Sequence, residues 1–463
     1  MGERTIKIEP FNLLDFLEFE MDKHVNEHVR VRFKGHITIE ENEKYANSHL
    51  KDKNVTISIF DEDGTEMLFF EGLIQDYQVE LANDIHLLTI TCISNTILMD
   101  RKKTIRTFQS HELTYGEVAD SIASSNEKYG IIVPAHSQDQ IGTMLVQYEE
   151  TDWDFLIRLA SNLKTVVVPN STLNYAAVYL GPRYKLTDNY SELQVASYIV
   201  RREVEAYQNN VHNGVSDIWE ESEIYYEVQS RGVFDLCAPV LFLGKKLLVY
   251  GVHTKLQGAQ LVHTYTLKEY HGFISRRIYC QKLIGASLTG VVKEANADQI
   301  RIEIDTDIQQ KEYKWFPYAT VYSSPDGTGW YFMPEIADRV KLHFPDEDEE
   351  NAFVISASHI SHDLRKNPDS KTITTKYGKK VIFSPTSIQI SNGAGSSILL
   401  DDSQGIEIDT NREVKITSQE DMYLNARGKI TIEGRKGVVI KQNNSALHID
   451  ENIQMTSGHV RIR

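Results

Sequence analysis

Between residues 377 and 463, apolar residues spaced two apart form pairs that recur every eight residues. The pairs are Ile398/Leu400, Ile406/Ile408, Val414/Ile416, Met422/Leu424, Ile430/Ile432 and Val438/Ile440. Looser copies flank them: Val381/Phe383 and Ile388/Ile390 before, Leu447/Ile449, Ile453/Met455 and Val460/Ile462 after. A spacing of two puts both members of a pair on one face of a β-strand. A strict repeat of that pattern specifies a β-solenoid or β-prism. Gly393, Gly395, Gly405, Gly428, Gly434, Gly437 and Gly458 fall between the pairs, where turns need them.

One octad cannot stay folded alone. Burying two aliphatic side chains yields about 3–6 kcal/mol, whereas ordering eight residues costs about 8 kcal/mol or more of backbone entropy. The strands must therefore close around a shared core. Three octads of one chain could form a coil of a monomeric β-helix, or three chains could each supply one face of a trimeric prism. No slower three-octad variation marks distinct corners, which favours the trimer.

The chain of 463 residues has room for two to four domains. No apolar run approaches a membrane span, so stable membrane insertion is not expected, and Met1–Pro10 lacks a signal-peptide core. Cys92, Cys237 and Cys280 are odd in number and far apart, which suggests neither a disulfide frame nor a zinc site. These features point to assembly in the cytoplasm. A net charge of −17 argues against nucleic acid as a partner.

Residues 1–282 alternate between β and helical signals. Val29–Phe33 and His36–Ile39 suit a hairpin about Gly35. Val55, Ile57 and Ile59 alternate, Asp61-Glu62-Asp63-Gly64 turns the chain, and Met67–Phe70 returns. Gly72–Leu81 and His86–Ser94 suit a second hairpin. Helical signals fall around 114–126 and 151–163. Thr114 and Glu117 make a capping box, followed by Tyr115, Val118, Ala119 and Ile122 at helical spacing. Near Thr151 a second helix begins, with Asp152 and Asp154 in its first turn. Its apolar face is Trp153, Leu156, Ile157, Ala160 and Leu163. From residue 166 the pattern is β again. Leu68–Ile74 echoes Leu248–His253, and a Thr-rich alternating strand follows each (Leu88–Thr91, Thr264–Leu267), which suggests two related barrels.

Residues 283–360 contain short strands at Ala286–Lys293, Ile300–Asp305, Trp315–Tyr322, Trp330–Met333, Val340–Phe344 and Ala352–Ser356, a density that fits an OB-like barrel. Trp315, Trp330, Tyr331 and Phe332 could stack on a ligand, but 6 Lys/Arg against 14 Asp/Glu in this segment do not make a nucleic-acid groove. The acidic run Asp346–Glu350 reads as a solvated loop. Polar residues 361–376 read as a linker.

Three motifs in a fixed order carry a family resemblance. Val146–Ala160 (VQYEETDWDFLIRLA) resembles the signature of VgrG spike proteins and related phage tail-hub proteins. Gly327–Val340 (GTGWYFMPEIADRV), followed by Phe344-Pro345, resembles the barrel signature of that family, and the octads resemble its needle. The resemblance implies a mainly β chain: a hub of two barrels with interleaved helices (1–282), an OB-like barrel (283–360), the linker (361–376) and a triple-stranded, intertwined trimeric β-helix needle (377–463). Three such chains would give six hub barrels, matching a hexameric inner-tube protein.

From the same resemblance the expected partners are a homotrimer, the tube, baseplate proteins and a PAAR-like tip cap seated on Gly458, His459, Arg461 and Arg463. The apolar pairs from Val381 to Ile462 would line the needle interior. The expected role is the spike and hub of a contractile injection system, released into the particle or secreted on firing; the fusion of hub to needle favours type VI or extracellular systems over phages that split them. The competing reading is a trimeric glycan-binding tail fibre or adhesin.

Three departures from the family bear on these expectations. Ala337 stands where many relatives have Gly. The short linker leaves no room for an inserted lysozyme, and no effector is expected after the needle. There is no G-x-S-x-G, H-E-x-x-H or P-loop, and no cofactor, catalytic residue or metal is expected. His448 and His459 sit one residue off the apolar pairs, so alternation points them outward, away from any axial metal.

Overall fold

The computed structural model describes residues 6–47, 53–60, 64–183, 189–212, 219–308, 312–358 and 367–461. Ile462, Arg463, Asp61–Asp63 and residues 361–366 of the expected linker lie outside the described residues. The chain divides into two units, Met1–Ile360 and Ser361–Arg463.

The first unit begins with six strands, β1 (Ile6–Glu9), β2 (Asp15–His24), β3 (Arg30–His36), β4 (Asn54–Phe60), β5 (Glu66–Ala82) and β6 (Ile85–Ser94). Their inward residues, including Met21, Phe33, Ile57, Phe70, Leu88 and Ile90, form one buried core. Alternation along β3 drives this: Val31 and Phe33 are buried while Arg30 and Arg32 face water. β5 and β6 form the expected hairpin, turned by Asn83 and Asp84, both at positive φ as a two-residue turn requires.

The expected hairpin about Gly35 does not form. Gly35 lies inside β3, where a Cβ would meet the Asp15 carbonyl oxygen at 2.2 Å. The glycine permits close strand approach instead of a turn. Ile39 begins helix α1 (Ile39–Asn47), which buries only Tyr45.

A helical layer follows. Helix α2 (Tyr115–Ala123) carries the expected capping box between Thr114 and Glu117. Strands β7 (Lys103–Phe108), β8 (Tyr129–Ile132) and β9 (Leu145–Thr151) surround it, and Thr151 caps helix α3 (Asp152–Asn162) through a hydrogen bond accepted from the Asp154 N–H. Strands β10 (Val167–Asn170) and β11 (Ala176–Leu180) complete this layer with β8. Tyr115, Val118, Ile122, Trp153 and Leu156 share its core.

The second barrel comprises β12 (Ser191–Glu192), β13 (Ser197–Arg202), β14 (Ile224–Ser230), β15 (Pro239–Phe242), β16 (Lys245–Gln257) and β17 (Gln260–Lys268), with its own core around Val228, Val249, Tyr265 and Leu267. The sequence echo corresponds to two bulged antiparallel pairs, β5–β6 and β16–β17. β2 pairs with β16 from Glu20↔Lys255 to His24↔Gly251, so twelve strands of both barrels form one continuous sheet.

Strands β18 (Ser287–Asn296), β19 (Gln299–Ile304), β20 (Trp315–Pro317), β21 (Arg339–His343) and β22 (Phe353–Ser358) form the OB-like barrel in the order β20-β19-β18-β21-β22. A bridge between Tyr318 and Val354 brings its two ends together. Trp330–Met333, expected as a strand, lies in the connection between β20 and β21. Ala337 occupies φ +76, a left-handed conformation that favours glycine.

In the second unit, strands β23 (Lys371–Thr374), β24 (Lys380–Ser384), β25 (Ser387–Ser391), β26 (Ser396–Asp401) and β27 (Gly405–Thr410) pair antiparallel in chain order. A second meander holds β28 (Val438–Gln442), β29 (Ser445–Ile449) and β30 (Ile453–Thr456). The first of these sheets starts at Lys371, inside the segment read as linker. A monomeric coil would pair strands several octads apart; here each strand pairs with its sequence neighbour. Residues 411–437 carry no strand in the single chain.

Candidate functional site

The register of the second unit aligns the apolar pairs. Val381 faces Ile390, Ile390 faces Ile398, and Ile398 faces Ile408. Phe383, Ile388, Leu400 and Ile406 follow one another the same way. Farther on, Val438 faces Ile449 and Ile440 faces Leu447, while Met455 and Ile453 continue these rows. A one-residue slip would scatter them to both faces, so the shared face is a consequence of register.

That face is open. Ile406 on that face is 73 % exposed, and in the strandless stretch 411–437 Ile416 and Leu424 are 73 % and 72 % exposed. Ile408, Val414, Met422, Ile430, Ile432 and Val460 are exposed as well, and only Val381, Val438 and Leu447 among the described pairs are half-buried. A groove of about 600 Å³ runs over Ile373, Val381, Ile390, Ile398, Ile408 and Val414. Soluble monomers rarely leave an apolar surface of this continuity in water. His448 faces Val439 and Gln454 in the ladder, on the side opposite Leu447 and Ile449. Gly458, His459 and Arg461 follow the last strand and are exposed.

In the first unit the functional geometry is a junction. Arg158 of α3 is buried and donates to Glu150 at 3.0 Å, to Glu349 at 2.8 Å and to the Val146 carbonyl. Burial disfavours its charge, but Glu150 and Glu349 outweigh that and hold the guanidinium pKa above its ordinary value. Arg106 donates to Asp152 at 2.7 Å beside it. Gln109 donates to the Ile302 carbonyl, and Met144 and Val146 enter the core of the OB-like barrel. The Val146–Ala160 motif therefore fastens hub to barrel. Glu349 is 1 % exposed, which corrects the reading of its acidic run as a solvated loop.

Among the described residues one group has the composition of a cation site: Glu20, Asp22 and His253 on the β2–β16 seam. His253 already contacts Asp22 at 2.5 Å and Lys255 contacts Glu20 at 3.2 Å, so these side chains form a cross-strand ion-pair cluster. Cys92 and Cys237 are buried, and burial pushes their thiols up, away from the reactive thiolate. No helix among the described residues is long and apolar enough to cross a membrane.

Residues 288–359 match the family model described as the type VI secretion system/phage-baseplate injector OB domain. Residues 50–190 match that of the Alg8 N-terminal domain, a span that leaves β1–β3 of the first core outside it. No curated protein matches the chain. Among solved structures, the E. coli c3393 protein is described as a component of the type VI secretion system similar to T4 bacteriophage tail proteins. It shares 12% identity, with 77% of this chain and 100% of that chain covered at a TM-score of 0.50. The lidded Francisella PdpA-VgrG complex gives 11% identity, 88% and 80% coverage and a TM-score of 0.56. The lidless PdpA-VgrG complex gives 11% identity, 88% and 98% coverage and the same TM-score. With two joined hub barrels, an injector-type OB domain at 288–359 and a C-terminal β-repeat, this chain has the fold of the VgrG-type spike proteins.

Proposed function

We propose that the protein is the homotrimeric spike and hub of a contractile injection system. The aligned apolar face of the second unit supports this reading: the pairs from Val381 to Ile408 and from Val438 to Met455 are in register and mostly exposed to water. Three copies related by a threefold axis would bury the three faces against one another. The result is a closed prism with no free sheet edge, suited to carrying axial load. The unpaired stretch 411–437, with Val414/Ile416, Met422/Leu424 and Ile430/Ile432, would find its ladder partners in the neighbouring copies. Outward residues stay mixed in charge, with 11 Lys/Arg against 10 Asp/Glu in 377–463, which keeps such a needle soluble.

The paired barrels of each hub would present six units to a hexameric inner-tube protein. Baseplate proteins would surround the hub, and a PAAR-like cap would sit on Gly458–Arg463. On contraction the needle would pierce the target envelope. The proposed role is mechanical and needs no catalytic residue or cofactor.

The test is the mass of the intact 53.0 kDa chain in solution by light scattering, before and after mild proteolysis. A trimer that leaves a resistant trimeric core containing residues 371–461 supports the spike. A stable monomer would sink it.

A further inference from the structure

The connection between β20 and β21 holds a hairpin with a polar turn at Ser324–Thr328 and unusually apolar arms. Val321 is 90 % exposed and Tyr331 71 %, and Tyr322, Trp330 and Phe332 are each more than half exposed. Its backbone is nonetheless fixed. The Trp330 N–H donates to the Tyr322 carbonyl at 2.8 Å, the Ser324 N–H to the Thr328 carbonyl at 2.8 Å, and the Tyr331 hydroxyl to the Ala297 carbonyl at 2.8 Å. Gly329 sits at φ +137, where a Cβ would meet the Tyr322 carbonyl oxygen at 2.4 Å, so the hairpin's close crossing requires glycine. A rigid scaffold presenting aromatic side chains to water is pre-organised for contact, because little conformational entropy remains to be lost on binding. The barrel core does not need these residues; it closes on Phe316, Leu342, Phe344 and Val354 without them.

We infer that this hairpin docks on the OB-like barrel of the next copy of the chain, a second inter-copy contact besides the needle. The inference rests on the trimeric reading. Chain length argues for a neighbouring copy as the occupant. β22 ends at Ser358 and the first needle strand starts at Lys371, so the intervening segment spans at most about 45 Å when fully extended. Needle association would therefore confine three barrels to one small volume, at an effective concentration of about millimolar. In a cyclic assembly a contact of this kind is heterologous, with the hairpin meeting a different surface of its neighbour. Exposed Ile284, Ile308 and Ile336 on the same barrel supply apolar surface to receive it. The groove beside the hairpin is lined by Asp298 together with aromatic, apolar and hydroxyl residues and no Lys or Arg, which does not suit an anionic polymer.

Hydroxyl-radical footprinting read by mass spectrometry tests this on the full-length protein as purified and on the double variant Ile416→Asp/Ile432→Asp. The expected result is a several-fold loss of oxidation at Trp330, Tyr331 and Phe332 in the assembled protein relative to the variant. An assembled trimer whose three aromatics react as fast as in the variant would overturn the contact and leave the trimer standing. A wild-type chain that is monomeric overturns both. Equal protection in wild type and a monomeric variant would assign the hairpin to packing within one chain. Protection of wild type only on adding tri-N-acetylchitotriose would assign it to a glycan, also overturning the inference.

Discussion

The guanidinium of Arg158 lies 2.8 Å from the carboxylate of Glu349, 191 residues later in the chain, and both side chains are buried. Glu150 holds the other edge of the same guanidinium at 3.0 Å. Replacing Arg158 with Met would leave two carboxylates buried without their cation. Breaking a buried pair on one side costs about 3–5 kcal/mol. The urea midpoint of the full-length R158M protein should fall accordingly. Glu349→Gln, which keeps a hydrogen-bond acceptor for Arg158, should cost less. Equal midpoints for R158M and wild type would refute the assignment of this arginine as the hub–barrel clasp.

Ala337 at φ +76 points to a stabilising change. An L-residue with a Cβ is disfavoured there by about 1–2 kcal/mol, whereas glycine adopts the conformation freely. Its N–H donates to the Val292 carbonyl at 2.9 Å, so the backbone is held in place by the barrel. Ala337→Gly should raise stability by about 1 kcal/mol after the glycine's extra unfolded-state entropy. Differential scanning calorimetry would show it as a higher unfolding temperature. A lower temperature would mean that the turn relaxes when the methyl group is removed.

His28 predicts a pH dependence. Burial lowers its pKa below the ordinary 6.5, and Asp100 opposes this only in part. The unfolded chain then binds more protons than the folded chain as pH falls below 6.5, so stability declines on acidification through the lowered folded pKa. His28 Nδ1 lies 2.8 Å from the Thr96 hydroxyl and its ring stacks 4.1 Å from Trp153, contacts an amide side chain can partly replace. The His28→Gln variant should lose less stability than wild type between pH 6.5 and 5. Parallel urea-stability profiles for the two proteins would contradict the assignment.

Local signals were legible in the sequence and long-range ones were not. The Thr114–Glu117 box and the helix start near Thr151 are set within three or four residues, and both occur in the structure. The octads over 381–408 and 438–455 occur as strands, since a period of two records a strand face whatever lies across from it, whereas those at 414–432 carry no strand in the single chain. Gly35 misled because a glycine marks a tight turn or a close approach with the same letter. Trp330–Met333 has the aromatic composition of a strand, but hydrogen bonding across Gly329 folds it into a hairpin. Helix α1 was missed because Glu40, Glu41, Glu43 and Lys44 leave it one buried residue, Tyr45. Glu349 was misread because its partner is contributed by a distant helix; nothing in DEDEE distinguishes the one buried carboxylate.

The needle face provides the strongest test of assembly, because its residues are exposed in the single chain. Ile416 is 73 % exposed and Ile432 64 %. In an isolated chain, aspartate at either position stays hydrated and costs little, as at most surface sites. In a threefold prism the same substitutions place six carboxylates near the axis, and burying an unpaired charge costs several kcal/mol each. Ile416→Asp/Ile432→Asp should therefore leave the thermal unfolding of the first unit unchanged while abolishing the trimer, read as a threefold drop in mass by light scattering. Residues 371–461 should become protease-sensitive at the same time. A double variant that remains trimeric and resistant would show that positions 416 and 432 face solvent in the assembly, and the interior assignment of Ile416 and Ile432 would be wrong.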